Sequence, residues 1–192
     1  MRRCWHALAL AIVFLATASV AGPLLLVSDE EPDTIMFALM SGKCSTLKVA
    51  GRDFACRAVG YYQTEQGRGN FVIALDDPAD DSHIVTFSGE NGRRPQDNLY
   101  ELPIDRMLLK SKDRPKLDGL PVPSVELTAG ICKQVGNFAT RQVSSISCSA
   151  TDRSGKKYDL QFASDGAPIA VRRLKKTRAG LPAMSPFDQL PE

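Results

Sequence analysis

The 192-residue sequence is poor in the residue patterns that most metal sites and catalytic centres use. It has one tryptophan, Trp5, and two histidines, His6 and His83. Its five cysteines include no Cys-x-x-Cys pair, so the usual zinc-binding spacing is missing. No Gly-x-Ser-x-Gly elbow occurs either. We therefore predict no catalytic residue set, no cofactor and no firm metal site.

A large excess of charge of either sign is also missing. The 24 basic and 22 acidic residues give a net charge of +2. Loss of Arg2 and Arg3 with an N-terminal leader would bring that charge to zero. A neutral chain has no global attraction for the phosphates of nucleic acids. The sequence therefore predicts no nucleic-acid partner.

Residues 1–21 have the pattern of a secretory signal peptide. A basic start precedes an apolar run over residues 7–18, and the small residues Ser19 and Ala21 suit signal peptidase. We predict cleavage after Ala21 and a location in the periplasm or outside the cell. No later run approaches the roughly 20 apolar residues of a membrane-spanning helix, so no transmembrane segment is expected after cleavage.

Four cysteines follow the predicted leader: Cys44, Cys56, Cys132 and Cys148. An even number of cysteines in an exported chain predicts a disulfide framework. Four cysteines allow three pairings, and the short separations favour Cys44–Cys56 and Cys132–Cys148. In the chain-entropy view, loops of this length stabilise the fold by about 3 kcal/mol each.

The pattern of apolar residues predicts a β-rich α+β fold. A short helix is expected at about residues 32–41, because acidic residues and a proline precede an apolar run that Gly42 ends. From residue 44 onward, short apolar runs between glycine, asparagine and aspartate clusters predict antiparallel strands. In residues 158–162, apolar and polar side chains alternate as in a half-buried strand.

Proline and glycine content divides this fold into two small antiparallel meander lobes. We assign residues 22–109 to a first lobe with the helix and one disulfide, and residues 124–179 to a second lobe with the other disulfide. Residues 110–123 are a Pro-rich linker, and residues 180–192 are a mobile tail. Each lobe has a Gly-x-Cys start and a second cysteine in a strand, which indicates a duplicated repeat. A chance likeness of two hairpins is the alternative.

Acidic residues cluster before the single histidine that follows the leader. Asp76, Asp77, Asp80 and Asp81 are weak candidates for a Ca²⁺ site, because hard cations prefer several oxygen ligands from one loop. The alternative is turn formation, since aspartate side chains bond nearby backbone N–H groups. A hydrolase using these carboxylates near His83 would need a partner group for the histidine.

Three other segments are candidate contact sites. The basic run near the C-terminus favours a solvated strand end, with contact with an anionic surface as the weaker alternative. The loop 88–94 is rich in glycine and arginine, which suits phosphate, whereas Asn91-Gly92 favours a hairpin turn. Aromatic residues of the first lobe either fill a core or stack on a partner. The basic run is Arg172, Arg173, Lys175, Lys176 and Arg178, and the aromatic residues are Phe54, Tyr61, Tyr62 and Phe71.

Residues 88–109, SGENGRRPQDNLYELPIDRMLL, carry a resemblance. This stretch resembles a family of exported alphaproteobacterial proteins to which no activity is attached. The resemblance implies export but transfers no site. The cysteine spacing and the duplicated plan are also similar to those of secreted β-lactamase inhibitory proteins, which implies an architecture at most.

These observations predict an exported, non-catalytic module of the cell envelope that binds a protein or another ligand. The expected partner is an unknown protein or envelope component. A secreted enzyme inhibitor and the hydrolase near His83 are the alternatives.

Overall fold

The structure, a computed structural model, describes residues 34–64 and 66–175. The regular secondary structure in that part of the chain consists entirely of β-strands. In chain order the strands are β1 (Thr34–Val49), β2 (Arg52–Asp53), β3 (Ala58–Gln63), β4 (Gly69–Ala74), β5 (Ile84–Gly89), β6 (Arg93–Gln96), β7 (Leu99–Lys110), β8 (Lys116–Leu117), β9 (Leu120–Pro121), β10 (Ser124–Asn137), β11 (Gln142–Asp152), β12 (Lys157–Ser164) and β13 (Ala170–Lys175).

Eight of these strands form one closed antiparallel barrel. Around the barrel the order is β1, β3, β4, β5, β7, β10, β11 and β12, and β12 pairs again with β1. Strand β1 has two successive neighbours on its closing side: residues 42–49 pair with β12 and residues 34–39 pair with β13. Closure leaves the barrel sheet without long free edges.

Apolar side chains from the whole sheet fill the barrel interior. In β12, Tyr158, Leu160 and Phe162 are buried whereas Lys157 and Gln161 are exposed, which confirms the predicted alternation. The largest wholly buried side chains come from strands all around the barrel, which places a single core at its centre. They include Met40, Phe71, Phe87, Leu102, Met107 and Ile146.

The predicted N-terminal helix is wrong for every residue of it that the structure describes. Residues 34–41 belong to β1, where residues 36–41 pair with β3 on one side and residues 34–39 pair with β13 on the other. Acidic residues, a proline and a following glycine are local helix signals, but strand pairing with distant parts of the chain overrides them.

The predicted division into two meander lobes is also wrong. Strand β1 from the first half pairs with β12 and β13 from the second half, and β7 pairs with β10. One sheet therefore contains both halves. Within the predicted linker, residues 116–121 form the small hairpin β8–β9, which connects two strands that are themselves paired.

Both predicted disulfides are present. Cys132 and Cys148 lie directly opposite each other on β10 and β11, with Cα atoms 4.0 Å apart. Cys44 of β1 is bonded to Cys56, which precedes β3, with Cα atoms 5.2 Å apart. Disulfides persist in oxidising compartments, so this pair indicates an extracellular or periplasmic environment.

Two predictions lie outside the described residues, namely the signal peptide over residues 1–21 and the tail over residues 180–192. The duplicated repeat also stays a prediction. In residues 34–64 and 66–175, no helix is long and apolar enough to cross a membrane.

Candidate functional site: the barrel mouth

The two ends of the barrel carry different connections. We call the end where β1 begins and β3 ends the mouth. The mouth carries the β3–β4 turn, strand β6 and the β10–β11 turn. The opposite end carries the loop between β4 and β5 and the β8–β9 hairpin. The two ends of the barrel therefore differ in the loops and short strands that they carry.

A cavity of about 330 Å³ lies at the mouth. Met36 of β1, Phe138 of the β10–β11 turn and Val171 of β13 supply apolar lining. Polar lining comes from β3, β6, β7 and β13, and from Asn137 at the end of β10. The size is at the lower limit for small-molecule sites, which span roughly 300–1,000 Å³.

Two tyrosines form the polar floor of this cavity. The hydroxyl oxygens of Tyr61 and Tyr100 are 3.2 Å apart and share a hydrogen bond. Tyr61 is buried and stacks on Phe138 with ring centroids 4.9 Å apart. Burial, together with the neighbouring Tyr100 hydroxyl, raises the pKa of Tyr61 above its ordinary value. The Tyr61 hydroxyl therefore stays protonated at neutral pH.

Two glycines leave room for the Tyr100 side chain. A Cβ atom at Gly92 would overlap the Tyr100 hydroxyl, and one at Gly69 would lie 3.2 Å from it. The predicted turn at Asn91-Gly92 leads into β6, which pairs with β7 rather than with β5. Position 92 thus serves the packing of the mouth.

Two adjacent arginines of β6 have different surroundings. Arg93 donates to one Glu101 carboxylate oxygen from Nε at 3.1 Å and from Nη2 at 2.8 Å. Arg94 places its guanidinium carbon 5.2 Å from the centre of the Tyr100 ring, which is a cation–π contact. Successive strand residues point to opposite faces, so only one arginine of this pair lines the cavity.

The predicted basic run contributes a second arginine to the mouth. Arg173 of β13 lines the same cavity as Arg94, and Arg172 is exposed beside it on the strand. Lys175 ends β13, whereas Lys176 and Arg178 lie outside the described residues. Contact of this run with an anionic surface stays a prediction.

The four predicted aromatic candidates have separate positions. Tyr61 and Phe71 are buried in the core, with ring centroids 5.0 Å apart. Tyr62 is half-buried on the other face of β3, and burial raises its pKa. Phe54 lies at the opposite end, where its ring meets that of His83 edge to face.

The acidic cluster lies at the opposite end and acts in loop structure. One Asp77 oxygen accepts from the Ala79 backbone, and the other lies 3.0 Å from His83 Nδ1. The hydrogen bond with His83 is the main factor that lowers the pKa of Asp77. No seryl or threonyl hydroxyl is bonded to His83 among the described residues, so a nucleophile–base pair is not assembled there.

The other three aspartates do not join Asp77 in a metal site. Asp80 accepts hydrogen bonds from Ser82 and from the Lys112 backbone, Asp76 lies 3.8 Å from Arg57, and Asp81 is exposed. Within residues 34–64 and 66–175, no group of three or more acidic, histidine or cysteine side chains could hold a metal ion.

Sequence reasoning missed an ionic network near the mouth. Arg68 donates to both oxygens of Asp105, at 2.8 and 2.9 Å, and also to Ser88 and Glu90. The Asp105 and Glu90 contacts raise the pKa of Arg68, and Arg68 lowers the pKa of Asp105. The partners come from different strands, so no local pattern could have indicated them.

Comparisons with known proteins identify no relative of this chain. No known family, no curated protein and no solved structure matches it.

Proposed function

We propose that this protein is a non-catalytic binding module of the cell envelope that holds a small organic molecule in its barrel mouth. The supporting observation is the convergence of Tyr61, Tyr100, Phe138, Arg94 and Arg173 on one cavity. Small-molecule sites usually combine an apolar wall with a few polar groups on a rigid scaffold. The closed barrel supplies that scaffold, because its strands are paired on both sides.

The fluorescent compound 1-anilinonaphthalene-8-sulfonate tests this proposal by isothermal titration calorimetry. We expect one molecule to bind per chain. Ala139→Trp should abolish binding, because Ala139 is exposed on the cavity rim and an indole there would fill the opening. The matched control is Ala129→Trp, which places the same ring at an exposed position of β10 outside the cavity lining.

Exposed leucines of the β8–β9 hairpin are a second place where this compound could adhere. Leu117 is 68% exposed and Leu120 is 53% exposed. We therefore include the variant Leu117→Ser/Leu120→Ser, which should retain the mouth binding. Absence of binding to the unaltered protein, or equal binding to Ala139→Trp, would contradict the proposed function.

A further inference from the structure

We infer that the ligand of the mouth is a small organic anion with a flat apolar body, an inference that rests on the proposed function. The charge of the cavity lining supports an anionic ligand. Arg94 and Arg173 line the cavity, and its described lining contains no carboxylate. The positive charge of Arg94 favours an anion over a cation in this cavity.

The arginines beside the mouth differ in how their charge is used. Arg68 is held by Asp105 and Glu90, and Arg93 is held by Glu101. Arg94 instead contacts the face of the Tyr100 ring. A cation–π contact leaves the guanidinium N–H groups in the plane of the fork able to donate to a carboxylate, sulfonate or phosphate oxygen. Arg94 is therefore the principal anion contact.

The tyrosine floor supplies a further donor. Two hydroxyl groups carry two protons, and the hydrogen bond between Tyr61 and Tyr100 uses one of them. The second proton can be donated to an oxygen atom of a bound anion. Burial keeps Tyr61 protonated, so the floor can donate at neutral pH.

The apolar part of the cavity lining favours a ligand with an apolar ring system. Met36, Phe138 and Val171 present apolar surface to the cavity, and Phe138 is already stacked on Tyr61. A flat apolar group can lie against this wall while its anionic group contacts Arg94. The cavity volume of about 330 Å³ limits the ligand to a small molecule.

Two dyes that differ by one sulfonate group test the inferred class. 1-Anilinonaphthalene-8-sulfonate carries a sulfonate, and N-phenyl-1-naphthylamine has the same ring system without it. We expect the sulfonate to bind at least about tenfold more tightly, as for a charge-assisted hydrogen bond. Raising the salt concentration should weaken the binding of the sulfonate dye but leave the binding of the uncharged dye almost unaffected.

Variants at two arginines, one in the cavity and one at the opposite end, test whether Arg94 contacts the anion. Arg94→Gln should weaken sulfonate binding on the order of tenfold and leave the uncharged dye unchanged. Arg57→Gln removes the same charge at the opposite end, where the Arg57 side chain is 87% exposed, and should have no effect. Equal affinity for both dyes, with Arg94→Gln inert, would overturn the anion inference but retain the proposed function. Failure of both dyes would contradict the proposed function itself.

An anionic lipid headgroup is the other source of this chemistry. Sedimentation with phosphatidylcholine vesicles, with and without phosphatidylglycerol, distinguishes the two sources. We expect no sedimentation with either vesicle. Binding to phosphatidylglycerol vesicles that Arg94→Gln abolishes, without binding of the free dye, would overturn the assignment to a small soluble anion.

Discussion

At the residue scale, several buried polar side chains of this protein have specific hydrogen-bond partners. Tyr61 shows this most clearly, because its hydroxyl lies in the core end of the mouth and is bonded to Tyr100. A buried hydroxyl that loses its partner keeps its desolvation cost without the compensating hydrogen bond. The pair should therefore behave as one unit in stability measurements.

Tyr100→Phe should lower the free energy of unfolding by about 1–2 kcal/mol, because it leaves the Tyr61 hydroxyl unpaired. The double variant Tyr61→Phe/Tyr100→Phe should be less destabilised than the sum of the two single variants. Urea unfolding followed by circular dichroism measures all four proteins of this cycle. Strict additivity would show that the hydrogen bond contributes nothing to stability.

Acid should weaken the Arg68–Asp105 contact. Because Arg68 holds the pKa of Asp105 below its ordinary 3.8, the contact stabilises the fold above that pH and is lost as the pH falls below it. Arg68→Gln should therefore be less stable than the unaltered protein at neutral pH, with a smaller difference at a pH of about 2.5. Urea midpoints at both pH values measure this. A difference that is equal at both would contradict the assigned role.

Alkali should act on Tyr158. Burial, followed by its hydrogen bond to Asp152, raises the pKa of Tyr158 to about 12. The neutral form is favoured in the fold, so this contribution is complete below the ordinary value of 10.0 and is lost as the pH rises toward about 12. Tyr158→Phe should show a smaller loss of stability over that interval. An identical alkaline profile for both proteins would place the effect elsewhere.

At the element scale, β1 has the largest role because it closes the barrel. Its neighbour β12 approaches so closely at Gly42 that a Cβ atom there would overlap the carbonyl oxygen of Ala163. At Gly60 of β3, an added Cβ would lie 3.6 Å from the Phe37 ring, which is an ordinary contact. A Cβ atom therefore fits at position 60 but not at position 42.

Gly42→Ala should lower the free energy of unfolding by at least about 2 kcal/mol, because the closing strands must move apart. Gly60→Ala is the matched control, and its effect should stay below about 1 kcal/mol. Urea unfolding of both variants makes the comparison. Equal stability of the two would argue against close packing at the seam between β1 and β12.

The disulfides also act on elements, since each closes a short loop. Their sequence separations are 12 and 16 residues. Cys132→Ala/Cys148→Ala and Cys44→Ala/Cys56→Ala should each lose about 3 kcal/mol of stability, as expected from loop-closure entropy. Dithiothreitol should likewise lower the melting temperature of the unaltered protein. A melting curve unmoved by dithiothreitol would show that the bridges do not stabilise the fold.

At the scale of the whole molecule, the two disulfides are attached to strands of one closed sheet around one core. Local patterns predicted the strand content and both cysteine pairings, because alternation and short sequence separations are local properties. The predictions failed where the structure depends on pairing between distant residues. Residues 34–41 pair with β3 and β13, and nothing within those eight residues indicates the second partner.

A single core should unfold in a single transition. We expect near- and far-ultraviolet circular dichroism to report the same urea midpoint for the oxidised protein. Two separate transitions would favour independent units over the closed barrel.

The sequence by itself determined that the chain would be β-rich and cross-linked between cysteines close in sequence, because side-chain alternation and short loops act within a few residues. Tertiary structure alone decided that β1 is a strand, that the sheet closes and that the mouth forms. Tyr61, Arg94, Tyr100, Phe138 and Arg173 come from five separate segments. The barrel brings them to one cavity, because β3, the β6–β7 pair, the β10–β11 turn and β13 are distant from one another in the chain.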